Sequence, residues 1–447
     1  MAAPTAVAAR ESALVRAIGV VGLAAGILNI IIGGGIFRLP ADVARALGPA
    51  APLAYVACAM AMGLIVLCFA EAGSRVDLTG GPYMYVEIAF GRFAGFLAGV
   101  LLWITGSLAS SAVAVVSTAN VAQLVPAVGS GAGRALFLAA LFASLTAVHA
   151  GGVRQGTAVN TVATVAKILP LLLLVIAGPF FVDASHLAWH GLPPAAALSR
   201  TSILLVFAFA GMECALAPSG EVRDVARTVP RAILLAMATA TVLYVSLQLV
   251  AQGVLGPALA SAEAPLADTG ARMFGPAGRT LIVVGAGISM LGNVSGMILG
   301  IPRALFAFAR DGFLPRALAA VHPRFHTPHV AIAVQSAIAA LLAVTSTFER
   351  LAILATTTTL CLYGACCLAA AELRRRNVRA GGVPFPVPGA RFAPAAACLA
   401  IAWMLTSVTA REWVALAAVL ALASLVFLVT ARTRAARERA QPGGSAA

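Results

Sequence analysis

Ile30-Ile-Ile-Gly-Gly-Gly-Ile-Phe-Arg-Leu-Pro40 lies inside the first long apolar run of the chain, and its reading decides the fold. From Ala17 the sequence runs as a membrane-spanning helix, which needs about 20 apolar residues at about 1.5 Å each. Gly33, Gly34 and Gly35 then fall well inside that span, and Pro40 follows. Each glycine costs a helix interior roughly 1 kcal/mol relative to alanine. Backbone that leaves the helix at membrane depth is tolerated only where it is buried in protein or lines a wet cavity. A break here frees N–H groups at the start of a following half-helix, Ile36 onward, whose positive dipole end favours an anion such as a carboxylate. The competing reading is a glycine patch for tight helix packing. This stretch alone leaves both open.

The chain around it has 447 residues, 61% of them hydrophobic and 10% charged, far from soluble usage. Such a chain supplies about a dozen spans of ~20 residues, so the expectation is an all-α polytopic membrane protein whose surroundings are the lipid bilayer. Apolar runs bounded by charge, Pro or Gly give spans near 17–37, 51–72, 93–125, 135–150, 157–182, 201–217, 231–255, 279–308, 329–346, 350–371, 394–410 and 413–430. The net charge of +14 would suggest a nucleic-acid partner in a soluble protein, but here its distribution sets topology and no nucleic acid is implied. With twelve spans and the N-terminus inside, the inside loops hold 21 basic residues and the outside loops 8, leaving only Lys167 within a span. That bias predicts cytoplasmic N- and C-termini in the cell (inner) membrane. Seven cysteines in apolar runs, without a C-x-x-C pair, argue against a disulfide framework or a metal cluster. Arg10 and Arg16 precede a first run that continues into the glycines, which reads as a retained span and not as a cleaved signal.

The sixth span repeats the oddity of the first. Phe207-Ala-Phe-Ala-Gly-Met-Glu-Cys214 puts Gly211 and the ionisable Glu213 inside an apolar run, with Pro218 behind them. Interrupted spans at positions one and six predict two five-helix halves related by an inverted repeat, with the binding site between the breaks. The organisation that follows is a cytoplasmic segment 1–16, a ten-helix core 17–371, a basic cytoplasmic loop 372–393, two accessory helices 394–430 and a cytoplasmic tail 431–447. With this placement the ligand-site reading of Gly33–Gly35 moves ahead of the packing one.

Other stretches read as packing or topology. Gly292, Gly296 and Gly300, like Gly22/Gly26 and Gly95/Gly99, recur every four residues and suit close helix contact. His322, His326 and His329 share a loop with Pro323 and Pro328 and lack the helical face that a zinc pair prefers. Arg374–Arg376 is a charge run that sets topology, with anionic-lipid contact as the lesser reading. No P-loop, G-x-S-x-G elbow or dinucleotide fingerprint occurs, so ATP-driven or hydrolytic chemistry is not indicated, nor is a cofactor or a metal.

Four stretches in order resemble the amino acid–polyamine–organocation transporter superfamily, over about residues 15–430. They are Gly33-Gly-Gly-Ile-Phe37; Phe69-Ala-Glu-Ala-Gly-Ser-Arg75 with Thr79-Gly-Gly-Pro-Tyr-Met-Tyr85 and Ala89-Phe-Gly91; Phe209-Ala-Gly-Met-Glu213 with Gly220-Glu-Val222 and Val229-Pro-Arg231; and Arg303 with Ala309-Arg-Asp-Gly-Phe-Leu-Pro315. The resemblance implies a LeuT-like 5+5 inverted repeat with broken helices 1 and 6, and secondary active transport of amino acids or related amines by alternating access. It implies that the N–H groups of Gly33, Gly34 and Gly35 hold a substrate carboxylate and that carbonyls near Ile31, Phe207 and Ala210, beside Gly211, hold its ammonium. Phe207 would close over the ligand, and Ser110 and Met297 would line the side-chain pocket. One departure is Gly34, where many members carry serine, so a hydroxyl contact to the carboxylate is lost.

An amino acid permease is therefore the leading expectation, neutral substrates being favoured by the small, mostly apolar lining. An amine or polyamine exchanger is the alternative within transport, disfavoured because Glu213 is the only acidic residue inside spans six to eight. A non-transporting amino acid receptor is the alternative from another class; a membrane enzyme would need a catalytic constellation the spans lack, with only His149 and Glu71 near span ends. Symport and exchange stay open. Lys167, the only lysine, sits ten residues into a fifth span that begins near Thr157, about 15 Å along a helix. A lysine stem of ~6 Å does not snorkel to the interface from there, and an intramembrane cation is by default a functional candidate. Some members of the resembling family carry a lysine at the matching place, where sodium-coupled relatives hold sodium. Lys167 is thus the expected proton-coupling group, with Glu213 as a second candidate; a fixed charge bracing the helices is the plain reading of Lys167, and a buried glutamate hydrogen-bonded across helices is that of Glu213.

Overall fold

The computed structural model describes residues 18–76, 81–151, 167–188, 191, 193–216, 222–310, 312–325, 327–379 and 382–440. Segment 1–16, Thr79-Gly80, the first part of the fifth span (157–166), Pro218, Gly220-Glu221, Asp311 and His326 lie outside these residues.

The first span divides at the glycines. Helix α1, Val20–Ile31, stops before them, and α2, Gly35–Leu47, starts on the last of them and carries Pro40 in its interior. Next come α3 (Ala51–Arg75), a short α4 (Pro82–Phe90), α5 (Arg92–Ala122), α6 (Gly131–Ala150) and α7 (Lys167–Phe180). The sixth span is broken as well: α8, Ala195–Phe209, ends before Ala210, and α9, Met212–Ala215, resumes after Gly211, whose φ of +123° suits a residue without a side chain. The remainder is α10 (Val225–Leu255), α11 (Pro265–Gly300), α12 (Pro302–Arg310), α13 (His329–Thr345), α14 (Phe348–Arg375), α15 (Ala393–Leu405) and α16 (Ala410–Ala440). Among the described residues there is no strand, only a bridge between Ile18 and Val222. The protein is an all-α polytopic membrane protein: among the described residues, seven stretches of helix are long and apolar enough to cross a bilayer, and five shorter apolar helices accompany them.

Both boundaries of the eighth span differ from the sequence reading for physical reasons. The eighth span begins earlier, at Pro265, because a helix outside the apolar run joins it across a kink at Gly275 (φ +68°) and Pro276. It also ends earlier, near Ile301, since Pro302 starts a separate helix. Hydropathy sees neither, because both joints are made by backbone geometry.

The broken helices sit at the centre. Helix α10 runs along α1 and α3, α5 along α11 and α14, and α8 lies against α2, α3 and α14. Ile27, Ile36, Leu39, Phe69 and Phe209 are wholly buried there. Close approach depends on small residues: a side chain at Gly106 would collide with Ile301, and one at Gly95 with Glu87. Gly99 likewise faces Phe308, as the packing reading of Gly95/Gly99 expects, whereas Gly26 meets nothing within 4 Å. Helix α16 turns most of its apolar residues up to Val429 outward, Leu422 among them, and α6 turns Leu136 outward, a surface that lipid tails cover. At one end of the bundle Glu71 on α3 is buried between Arg75 (3.0 Å) and Arg374 of α14. This charge cluster clamps two core helices, so Arg374 does more than set topology and Glu71 is fully engaged.

Candidate functional site

At the first break the chain satisfies one pole and leaves the other open. The last carbonyls of α1 have no intrahelical donors, yet each finds one. Lys167 Nζ donates to the carbonyls of Asn29 and, at 2.9 Å, Ile32. Asn293 Nδ2 of α11 donates to Ile30 O at 3.2 Å, and Tyr244 O–H of α10 donates to Ile31 O at 2.9 Å. Gly33 N–H also reaches Ile31 O, at 2.7 Å, so both lone pairs of that carbonyl are used. The α2 start is different. No side chain caps it, and the N–H groups of Gly34, Gly35 and Ile36 meet no acceptor among the described residues.

The second break reverses the pattern. Gly211 N–H donates to Glu213 Oε2 at 2.9 Å, and Tyr363 O–H donates to the same oxygen at 2.5 Å. The carboxylate thus caps the N–H side of its own break. At the end of α8, Tyr244 Oη lies 3.2 Å from Ala208 O, but the carbonyls of Phe207 and Phe209 accept nothing among the described residues.

A narrow cavity of about 40 Å³ opens between the breaks, where about 10–15 Å³ on that scale holds one water. Ile30, Ile31 and Gly33–Gly35 wall it from the first break, and Phe207, Ala210, Gly211 and Glu213 from the second. Helix α5 adds Thr105, Gly106, Ala109 and Val113; α11 adds Asn293 and Met297; α14 adds Ala355, Thr356 and Thr359. Phe207 meets Phe348 edge to face, ring centroids 5.6 Å apart.

The structure therefore gathers Ile31, Gly33, Gly34, Gly35, Phe207, Ala210, Gly211, Glu213 and Met297 around one cavity. Ser110 lies outside the lining: its hydroxyl donates to Ser107 O at 3.0 Å, and its neighbours Gly106, Ala109 and Val113 form the stripe that faces inward. Lys167 is also off the lining, buried behind the break it caps, and no carboxylate pairs it among the described residues. The glycines pack as well as line. A side chain on Gly33 would press on the Asn293 amide, and one on Gly34 would come 3.0 Å from Val113 Cγ1. Sequence reasoning missed α14 and Asn293 as contributors; the signals were a run of four threonines, Thr356–Thr359, and an asparagine within an apolar span. No group of metal-ligating side chains occurs among the described residues, His322 and His329 included.

Residues 18–431 match the amino acid permease family. The chain is 34% identical to an uncharacterized transporter of Mycobacterium tuberculosis, covering 71% of each chain. It is 29% identical to the methylthioribose transporter of Bacillus subtilis over 91% of each chain. To the branched-chain amino acid permease of the same organism it is 27% identical, over 85% of this chain and 86% of the relative. The chain belongs to the amino acid permease family and is a transporter, not an enzyme.

Proposed function

We propose that this transporter moves small neutral amino acids across the cell membrane by alternating access, driven by protons. The observation that carries this is the pair of open poles on one cavity: uncapped N–H groups of α2 and uncapped carbonyls at the end of α8. A zwitterion supplies the acceptor and the donor that these two ends lack. The carboxylate meets Gly34 and Gly35 with Gly33 beside them, and the ammonium meets the carbonyls of Phe207 and its neighbours near Ala210 and Gly211. Ile31, whose carbonyl is occupied, borders the ammonium, and Phe207 and Met297 bound the side chain. Gly106, Ala109 and Val113 serve where Ser110 was expected.

In this reading the fold is the twelve-span 5+5 inverted repeat with both termini cytoplasmic, and breaks one and six are its symmetry mates. Lys167 is the coupling group: as a cation it bonds both carbonyls at the end of α1, and giving up its proton weakens that clip. Glu213 holds the second break closed through Gly211 and Tyr363. An amine or polyamine leaves the N–H pole of α2 unmet, which ranks that alternative lower. Uptake of labelled alanine, serine and threonine into proteoliposomes, with and without an inward acid gradient, tests the proposal. Binding without uptake would favour a receptor, and uptake of methylthioribose alone would remove the amino acid reading.

A further inference from the structure

Two residues that line the cavity each carry a buried polar atom with no partner among the described residues, Asn293 Oδ1 and Thr356 Oγ1. Their residues are 8% and 1% exposed, and a buried group left unsatisfied costs about 1–3 kcal/mol. Such atoms call for an explanation.

Thr356 stands out from its neighbours. Thr357 donates to Ile353 O at 2.8 Å, Thr358 to Ala355 O at 2.7 Å and Thr359 to Ala355 O at 2.8 Å. A helical threonine ordinarily satisfies its hydroxyl by donating back in this way. Of the four in a row, only Thr356 does not: its residue lines the cavity, and its buried hydroxyl is left without a donor or an acceptor among the described residues. Asn293 is fixed from its other end. Its Nδ2 donates to Ile30 O, and turning the amide over would set oxygen against oxygen, so Oδ1 is the atom left unpaired. That oxygen only accepts.

We infer that Asn293 and Thr356 form a side-chain reader, selecting small neutral amino acids that carry a hydroxyl over isosteres that carry a methyl group. This rests on the amino acid reading above and narrows its substrate class. A hydroxyl is the smallest group that donates to Asn293 Oδ1 while accepting from Thr356 O–H. An aliphatic side chain leaves both atoms buried and unpaired, and the narrow cavity favours a short one that brings its own polar atom. A site built to hydrogen-bond a substrate hydroxyl discriminates strongly against the analogue lacking it, because the penalty falls on its own unpaired groups.

The test compares two pairs that differ only by hydroxyl against methyl: L-serine with L-2-aminobutyrate, and L-threonine with L-valine. Competition binding on one preparation of purified protein gives an affinity ratio that the folded fraction does not alter. In the wild-type protein the hydroxyl member of each pair binds about 10- to 100-fold tighter. Thr356→Val and Asn293→Leu each bring the ratio down by about tenfold or more, while Thr356→Ser keeps it. Equal binding within both pairs by the wild-type protein overturns the inference and leaves the amino acid reading standing. So does a preference that survives in both Thr356→Val and Asn293→Leu. If none of the four amino acids binds, the reading under Proposed function falls, and this inference with it.

Discussion

Replacing Lys167 with glutamine removes the cation behind the first break and leaves a neutral donor one bond shorter. The lysine is 1% exposed and donates to the carbonyls of Asn29 and Ile32. Each carbonyl left without its donor costs about 1–3 kcal/mol, so the clip is worth roughly 2–6 kcal/mol. Against this, burying an ammonium costs several kcal/mol that the variant no longer bears. The two terms largely offset each other, and Lys167→Gln is expected to fold and to bind substrate within about tenfold of the wild type. Transport is another matter. A gradient of one pH unit is worth about 1.4 kcal/mol per proton, enough for about tenfold accumulation of a substrate coupled to one proton. In proteoliposomes with the membrane potential held at zero and the outside acidified by one unit, the wild type should concentrate substrate about tenfold. Lys167→Gln should equilibrate it, with a binding affinity that no longer varies with pH. Accumulation by the variant equal to the wild type would refute the coupling role. Loss of binding together with transport would make Lys167 a brace only.

The glycine break gives a second expectation: Gly34→Val blocks uptake, and because its Cβ would lie 3.0 Å from Val113 Cγ1, folded yield falls too. Adding Val113→Ala should restore yield, read by size-exclusion chromatography, without restoring uptake; recovered uptake would show that Gly34 serves packing alone. Phe207→Ala removes a ring that lines the cavity and packs on Phe348, and should weaken substrate affinity by about tenfold, the worth of ~1.4 kcal/mol; unchanged affinity would make it a packing residue. Glu71→Gln leaves Arg75 and Arg374 without their shared carboxylate. Breaking a buried pair costs about 3–5 kcal/mol, less here because Arg374 is 25% exposed. A thermal unfolding midpoint equal to the wild type's would show that the cluster does not hold α3 to α14.

Much of this site is legible in the sequence because membrane depth punishes irregular backbone. Three glycines in the first span and Gly211 in the sixth have no inexpensive explanation in a lipid-facing helix, and a lone lysine in the fifth is conspicuous for the same reason. What the sequence hides is helical phase. Ser110 attracts attention as a polar residue in an apolar span, yet Gly106, Ala109 and Val113, at spacings of three and four, carry the inward face, and Ser110 is one residue out of step. The threonines of α14 are hidden differently. Any helical threonine is read as satisfied by its own helix, and three of these four are. Only the folded structure separates Thr356 from the rest. The glycine patches fare unevenly because spacing does not say what lies opposite: Gly95 and Gly99 meet side chains, and Gly26 meets none.

The two breaks carry more information together than either does alone. A helix interrupted inside a membrane exposes a negative end and a positive end at once, and each must be met by the protein or by a ligand. At the first break the protein meets the negative end with Lys167, Asn293 and Tyr244 and, among the described residues, leaves the positive end bare. At the second it meets the positive end with Glu213 and, among the described residues, leaves carbonyls of the negative end bare. Had the chain supplied its own charge on the same side of both breaks, the cavity would favour a simple anion or a simple cation. Because the self-supplied charges are opposite, the bare ends are opposite too, and they face one small space. That is why Lys167 and Glu213, which look in the sequence like two unrelated costs, belong to one account of the candidate site: in the proposed function, each neutralises the pole that the substrate does not need to reach.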